Sequence, residues 1–207
     1  MSEEPPTVHV IDDDPSVRDA IVGMVNSVGL RVRAFESTQA FLHERLPDGP
    51  NCLVLDVRLP GLSGLDFQNE LKKTDTPVPI IFITGFGDVP MTVRAMKAGA
   101  VEFLTKPFRD QDLLDAIAHA LDQDRVARHE RAELSTLRQR FDSLTERERQ
   151  VMTFVLAGKL NREIAAQFGT SEITVKVQRS RVMRKLQAES VIDLAHIAAK
   201  LDSGASK

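Results

Sequence analysis

The sequence predicts an α/β fold, a doubly wound parallel sheet of five strands, followed by a second domain that is entirely α-helical. Up to residue 121, short apolar runs alternate with stretches whose apolar residues recur at the helical period of about 3.6 residues. That alternation is typical of a parallel sheet with helices on both faces. Strands are expected at 8–11, 31–35, 51–56, 79–84 and 101–104, and helices at 15–28, 37–45, 64–73, 89–98 and 110–121.

Composition and charge limit the class of protein. The chain has 207 residues, 42% of them hydrophobic, which is enough for two modest cores. Its formal net charge is −3, so DNA binding would require positive charge that is concentrated on one face. The single cysteine, Cys52, excludes an internal disulfide and a cysteine-rich metal site, and its apolar neighbours predict a buried core residue.

We expect neither a membrane-spanning segment nor an export signal. No apolar run reaches the roughly 18–20 residues that cross a bilayer. The acidic residues 1–6 lack the apolar core of a signal peptide. We therefore expect a cytoplasmic protein without a membrane partner.

The middle of the chain differs from both ends. Residues 122–140 carry many charges of both signs without glycine or proline, which predicts a solvated helical linker that continues the fifth helix. The expected organisation is therefore residues 1–121, 122–140 and 141–207. A sparse apolar stripe could pair with a second chain or pack against the next domain, and consists of Leu134, Leu137, Phe141 and Leu144.

The last part of the chain shows only helical signals. Thr145 with Glu148 three residues later is a capping-box pattern, and Gly158 and Gly169 fit helix ends. The expected helices are 146–157, 161–168, 172–186 and 190–200.

Polar residues follow the ends of the predicted strands. Because the carboxyl ends of parallel strands meet at one edge of a sheet, we expect these side chains to lie together. Clustered carboxylates repel one another and usually persist because they bind a hard divalent cation such as Mg²⁺. The alternative is that the acids are caps and solvated loop ends. The residues concerned are Asp12, Asp13, Asp56, Thr84 and Lys106.

Residues 7–121 resemble the receiver domain of bacterial response regulators, which has a CheY/flavodoxin-like fold. Each motif alone is weak, but together and in this order they are specific. Asp14, which directly follows Asp12 and Asp13, is expected to be only a helix cap. The matching motifs are VIDDD at 10–14, LDVRLPGLSG at 55–64, ITG at 83–85 and FLTKPF at 103–108.

The resemblance implies a role for each acid. Asp56 would be the nucleophile that accepts a phosphoryl group from a sensor histidine kinase. Asp12, Asp13 and Asp56 would hold Mg²⁺, with the backbone carbonyl of Arg58 as a further ligand. This chemistry is reasonable, because phosphoryl transfer needs positioning and neutralisation of charge on the phosphoryl oxygens.

The resemblance also implies a switch. Lys106 would pair with the phosphoryl oxygens, and Thr84 would donate a hydrogen bond to them and move inward. Phe103 would then fill the vacated space, and it would act by packing because it lacks a hydroxyl group. The fourth and fifth helices and the fifth strand would change and form a homodimer surface. Within residues 87–100, the core is expected to include Val93, Met96 and Ala100.

The last part of the chain resembles the LuxR-type helix-turn-helix of the FixJ/NarL family, and with GDVPMT at 87–92 the whole chain is FixJ-like. The matching motifs are LTERERQVM at 144–152, GKLNREIA at 158–165 and SEITVKV at 171–177. Helix 172–186 would enter the major groove of double-stranded DNA. The family often has histidine at Gln178 and a basic residue at Ser180; these two departures leave the binding mode intact and bear on which sequence is recognised.

The charge of helix 172–186 agrees with that role. Five cations against the one anion Glu172 give a net charge of +4. Base reading is assigned to Lys176, Val177 and Ser180. Phosphate contact is assigned to Thr174, Arg181 and Arg184.

The leading hypothesis is a transcription factor, expected to be an activator, that a sensor kinase controls by phosphorylation. Its expected partners are promoter DNA and RNA polymerase. A second hypothesis is an enzyme with a hydrolytic output domain. It is weakened because residues 141–207 hold one histidine, His196, no cysteine and no glycine-rich phosphate loop. A third is a DNA-binding protein whose receiver is a dimerisation module that does not depend on phosphorylation.

Overall fold

The computed structural model describes residues 4–71 and 78–203. The chain divides into two compact units, residues 1–128 and 129–207. In the described residues, no helix has both the length and the apolar character that crossing a membrane requires.

The first unit alternates strands and helices as the apolar periodicity predicts. The second predicted helix, 37–45, is shorter than expected: Ser37 is its N-cap and it ends at Leu42. Positions 72 and 73 of the third predicted helix lie outside the described residues. The elements are β1 (Thr7–Ile11), α1 (Pro15–Ser27), β2 (Arg31–Phe35), α2 (Thr38–Leu42), β3 (Asn51–Asp56), α3 (Gly64–Leu71), β4 (Ile80–Thr84), α4 (Val89–Lys97), β5 (Glu102–Thr105) and α5 (Asp110–Asp142).

The sheet of the described first unit has the order β2-β1-β3-β4-β5, with every pair of neighbouring strands parallel. Strands β1, β3 and β4 are buried along their whole length. Their side chains alternate between two apolar cores, one on each face of the sheet. Cys52 is fully buried in one of these cores, as its apolar neighbours predicted. The predicted α/β fold is confirmed.

The start of α1 follows from local chemistry. The Asp14 side chain accepts a hydrogen bond from the backbone N–H of Ser16, and Pro15 occupies the first helical position, where its missing N–H costs nothing. The predicted role of Asp14 as a helix cap is confirmed.

The prediction that helix continues through residues 122–140 is confirmed, because α5 extends to Asp142. The prediction that this stretch is solvated is wrong at Asp124, whose residue is only 2% exposed. Its carboxylate accepts hydrogen bonds from the Asn51 backbone N–H at 2.7 Å and from Arg128 Nε at 2.6 Å. Arg128 also donates to the backbone carbonyl of Asp48. The beginning of the predicted linker is therefore attached to the loop before β3.

The second unit contains the end of α5 and further helices around one apolar core. Thr145 and Glu148 form the predicted capping box, and Gly169 ends a helix in the left-handed conformation. Leu137 and Leu144 are buried in this unit, which favours packing within the domain over pairing with a second chain. The helices are α6 (Glu146–Leu156), α7 (Asn161–Phe168), α8 (Glu172–Leu186) and α9 (Val191–Ser203).

We predict that Asp124→Ala lowers the free energy of unfolding by about 2–4 kcal/mol, because the buried Asn51 backbone N–H loses its acceptor and Arg128 loses its ion-pair partner. The measurement is urea unfolding of the full chain. Asp122→Ala is the matched control, since its side chain is 67% exposed, and it should change stability by less than about 0.5 kcal/mol. Equal effects of the two substitutions would contradict the assigned role of Asp124.

Candidate functional site

The carboxyl edge of the sheet gathers acids from separate strands. Asp12 follows β1 directly, Asp56 is the last residue of β3, and Lys106 follows β5 directly. The Lys106 Nζ atom lies 2.6 Å from Asp12 Oδ2 and 3.1 Å from Asp56 Oδ2. One carboxylate oxygen each of Asp12, Asp13 and Asp56 lies within 4.8 Å of the others. We call these four residues the acid pocket.

The members of the acid pocket differ in exposure. Asp12 is fully buried, Asp56 is 7% exposed, and Asp13 is exposed at the mouth. Asp12 Oδ1 accepts a hydrogen bond from the Asp14 backbone N–H, and Asp56 Oδ1 accepts one from the Arg58 backbone N–H. These bonds hold both carboxylates in place while the pocket stays open to solvent beside Asp13.

Burial and charge act in opposite directions in the pocket. Burial raises the pKa of Asp12, and this effect outweighs the hydrogen bonds from Lys106 and from the Asp14 backbone N–H. Burial alone would lower the pKa of Lys106, but hydrogen bonds to Asp12 and Asp56 raise it above the usual value. Lys106 therefore stays protonated and neutralises part of the negative charge.

The donor set of the acid pocket fits a hard divalent cation. Three carboxylates supply only oxygen ligands, the kind that Mg²⁺ prefers, and one lysine cannot balance three negative charges. The side chain of Arg58 makes a cation–π contact, since its guanidinium carbon lies 4.2 Å from the centroid of the exposed Phe86 ring. The backbone carbonyl of Arg58 as a metal ligand stays a prediction.

The two predicted switch residues lie on neighbouring strands. Thr84 is fully buried, and its hydroxyl oxygen accepts a hydrogen bond from the Phe86 backbone N–H at 3.3 Å. Its carbonyl accepts from the Lys106 backbone N–H at 2.7 Å, and the Lys106–Pro107 peptide bond is cis. Phe103 is 9% exposed and packs inward, with its ring centroid 6.1 Å from that of Phe82.

The loop between β4 and α4 packs closely on β5. A Cβ atom at Gly87 would lie 2.7 Å from Thr105 Cγ2 and 3.0 Å from Phe103 Cε1, so this position requires glycine. On α4, the prediction that Val93 and Met96 belong to the core is wrong, because they are 44% and 42% exposed. α4 contacts the core through the fully buried Ala95 and the partly buried Met91, and the prediction that Ala100 belongs to the core is confirmed.

Helix α8 separates apolar and basic faces as the sequence predicts. Val175, Val182 and Leu186 are buried in the core of the second unit. Ser171 caps the helix by accepting from the Thr174 backbone N–H. The residues assigned to DNA contact are all exposed, namely Thr174, Lys176, Val177, Ser180, Arg181 and Arg184.

Comparison with known proteins matches both units. Residues 8–118 fit the family described as response regulator receiver domain, and residues 142–198 fit the bacterial regulatory proteins of the luxR family. The chain is a response regulator. It joins a receiver domain to a LuxR-type DNA-binding domain and regulates transcription within a two-component system.

Two relatives and one solved structure align with nearly the whole chain of this response regulator. It is 50% identical over 199 residues to nodulation protein W of Bradyrhizobium diazoefficiens, covering 96% of this chain and 88% of that protein. It is 42% identical over 192 residues to the transcriptional regulatory protein FixJ of the same organism, covering 92% and 93%. The structure of response regulator StyR superposes with a TM-score of 0.85 at 46% identity, covering 95% of this chain and 100% of that chain.

One important ion pair of the response regulator was missed from the sequence. Lys185 of α8 does not face outward as Lys176, Arg181 and Arg184 do. Its Nζ atom lies 2.6 Å from Glu148 Oε2 and 2.8 Å from the Ser143 carbonyl oxygen. The pair therefore joins α8 to α6. The sequence feature that could have revealed this ion pair is the capping-box residue Glu148, because a buried carboxylate needs a counter-charge.

Glu148 is 5% exposed, and burial alone would raise its pKa. The hydrogen bonds from Lys185 and the Thr145 backbone N–H, with the attraction of Lys185, outweigh burial and lower the pKa. A lowered folded-state pKa contributes stability above the unfolded-state value of about 4.3, and this stability is lost as the pH falls through the folded-state pKa.

We predict that Glu148→Gln, which keeps a capping oxygen, destabilises the second unit by about 1–3 kcal/mol at pH 7. The difference from the unmodified chain should shrink as the pH falls below about 4.3, because the unmodified Glu148 is then protonated as well. Hydrogen exchange of the α6 and α8 amides in the full chain measures both effects. The control is Glu146→Gln, an exposed residue of the same helical turn. A difference that does not depend on pH would argue against the ion pair.

Proposed function

We propose that Asp56 accepts a phosphoryl group from a cognate sensor histidine kinase, and that this phosphorylation promotes dimerisation and binding of α8 to specific promoter DNA. The observation that carries the proposal is the position of Lys106 Nζ, 2.6 Å from Asp12 and 3.1 Å from Asp56. A cation that bridges these two carboxylates lies where the oxygens of a phosphoryl group on Asp56 would be. All of this would take place in the cytoplasm, where the promoter DNA lies.

In the transfer step, an Asp56 carboxylate oxygen attacks the phosphorus of the phosphohistidine. The new oxygen–phosphorus bond forms as the phosphorus–nitrogen bond breaks, and the imidazole nitrogen keeps the electron pair. The hydrogen bond from the Arg58 N–H aims the Asp56 carboxylate. Asp12, Asp13, Asp56 and the carbonyl of Arg58 would hold Mg²⁺, which supplies charge neutralisation at the phosphoryl oxygens.

Lys106 would then exchange its hydrogen bond to Asp56 for one to the phosphoryl group. The Thr84 hydroxyl would turn to donate to another phosphoryl oxygen, and the loop that follows it would move. Because even a Cβ atom at Gly87 would lie only 3.0 Å from Phe103 Cε1, this loop runs close to the Phe103 ring, and its motion would change the space beside that ring. The exposed Val93 and Met96 on α4 supply apolar area for a homodimer of phosphorylated chains.

In the DNA-binding domain, the exposed face of α8 would enter the major groove. Lys176, Val177 and Ser180 would contact bases. Thr174, Arg181 and Arg184 would contact phosphates, a pattern that the outward position of both arginines supports. Activation of transcription would follow from contact of the bound dimer with RNA polymerase.

We predict that Asp56→Asn abolishes labelling of the full chain by acetyl phosphate in the presence of Mg²⁺, because the amide cannot form the acyl phosphate. Radiolabelled acetyl phosphate and gel analysis measure this. Asp19→Asn is the control, since Asp19 is exposed on α1. If labelling of Asp56→Asn stays at the level of the control, another residue is the phosphoryl acceptor.

We predict that Arg181→Ala weakens binding to all DNA sequences and lowers the slope of log affinity against log salt by about 1, because one phosphate contact is lost. The matched control is Arg179→Ala on the same helix. Arg179 is half-buried and its Nη1 donates to Asn161 Oδ1, so its loss should leave the slope unchanged. An unchanged slope for Arg181→Ala would exclude the phosphate contact.

A further inference from the structure

Two apolar side chains are exposed on the otherwise polar outer face of α8. Ile173 is 76% exposed and Val177, one helical turn later, is 45% exposed. The structure describes every residue of α8, and its other exposed residues are all polar or charged. Val177 is one of the residues predicted to read bases, whereas Ile173 has no predicted role.

The pair does not belong to the packing stripe of the helix. At about 100° per residue, Ile173 and Val177 each lie about 160° from the buried Val175, on either side of the direction that points away from the core. Val182 and Leu186 fall within about 20° of Val175, and both are buried. Ile173 and Val177 are therefore the side chains that project furthest from the domain in the first half of α8.

Single exposed apolar residues are common and need no explanation. Here two occur together, in the first turns of the recognition helix, the end that contacts base edges. Around the helix, Lys176, which is assigned to base contact, lies on one side of the pair, and Arg181, which is assigned to phosphate contact, lies on the other. The pair therefore occupies the place where the floor of the major groove would lie.

Neither side chain can donate or accept a hydrogen bond. The apolar group that the bases present in the major groove is the C5-methyl of thymine. We propose that Ile173, together with Val177, contacts thymine methyl groups, so that Ile173 is a specificity-determining residue of this response regulator. The inference rests on the proposed binding of α8 to the major groove and specifies what that helix recognises there.

The test removes the methyl group and nothing else from the DNA. Sequences that the full chain binds, after incubation with acetyl phosphate and Mg²⁺, are first selected from a random pool. Each thymine of the selected site is then replaced singly by deoxyuridine, and the affinity is measured by fluorescence anisotropy. For the unmodified chain we expect the affinity to fall about fourfold when either of one or two thymines is replaced, because burial of one methyl-sized group contributes about that factor.

Ile173→Ala should remove the deoxyuridine effect at one of these thymines, while the salt dependence of binding stays the same. Alanine is a better helix former and Ile173 is exposed, so the variant should fold. The matched control is Ile192→Ala, which replaces an isoleucine that is 68% exposed and is likewise the second residue of its helix, α9. This control should keep the full deoxyuridine effect.

Two results would overturn the inference while leaving the proposed function in place. One is a selected site at which no thymine shows a deoxyuridine effect. The other is a deoxyuridine effect that Ile173→Ala leaves unchanged at every thymine. Failure of the phosphorylated chain to select any sequence would instead overturn the proposed DNA binding itself, and the inference with it.

Discussion

The parallel alignment of β1, β3 and β5 is the constraint on which the receiver domain depends. It brings the ends of strands that lie far apart in the sequence to one edge, so that Asp12 and Asp56 meet Lys106 from 94 and 50 residues away. Carboxylates this close repel one another, and the amine of Lys106 offsets that repulsion. The two apolar cores on the faces of the sheet hold this arrangement, which solvent-exposed loops alone could not maintain.

The same edge connects the pocket to the rest of the domain. The backbone N–H of Lys106 donates to the carbonyl of Thr84, so the ends of β4 and β5 are joined directly beside the acids. Gly87 lets the next loop approach Phe103, and α4 follows that loop. The proposed change of charge at Asp56 would therefore act on a closely packed series of contacts, and packed interiors transmit small displacements.

Most of the fold could be predicted because apolar periodicity reports which face of each element is buried. Asp12, Asp56 and Lys106 could be predicted because strand ends converge by topology. The burial of Asp124 could not, since its partner Asn51 lies 73 residues away and a charged helical stretch ordinarily indicates solvent. Periodicity also failed for Val93 and Met96, because the spacing of apolar residues on a nine-residue helix does not distinguish a face that packs on the core from an exposed apolar face.

The cations of α8 could be counted from the sequence, but which of them face outward could not be predicted. Lys185 turns back to Glu148, so the outward charge of the helix is smaller than composition suggests.

We infer that the convergence of strand ends makes Asp56 the single phosphoryl acceptor. Borohydride reduction converts an aspartyl phosphate to homoserine, which mass spectrometry can locate after the full chain reacts with acetyl phosphate and Mg²⁺. We expect homoserine at position 56, and homoserine at position 12, at position 13 or outside the acid pocket would contradict the inference.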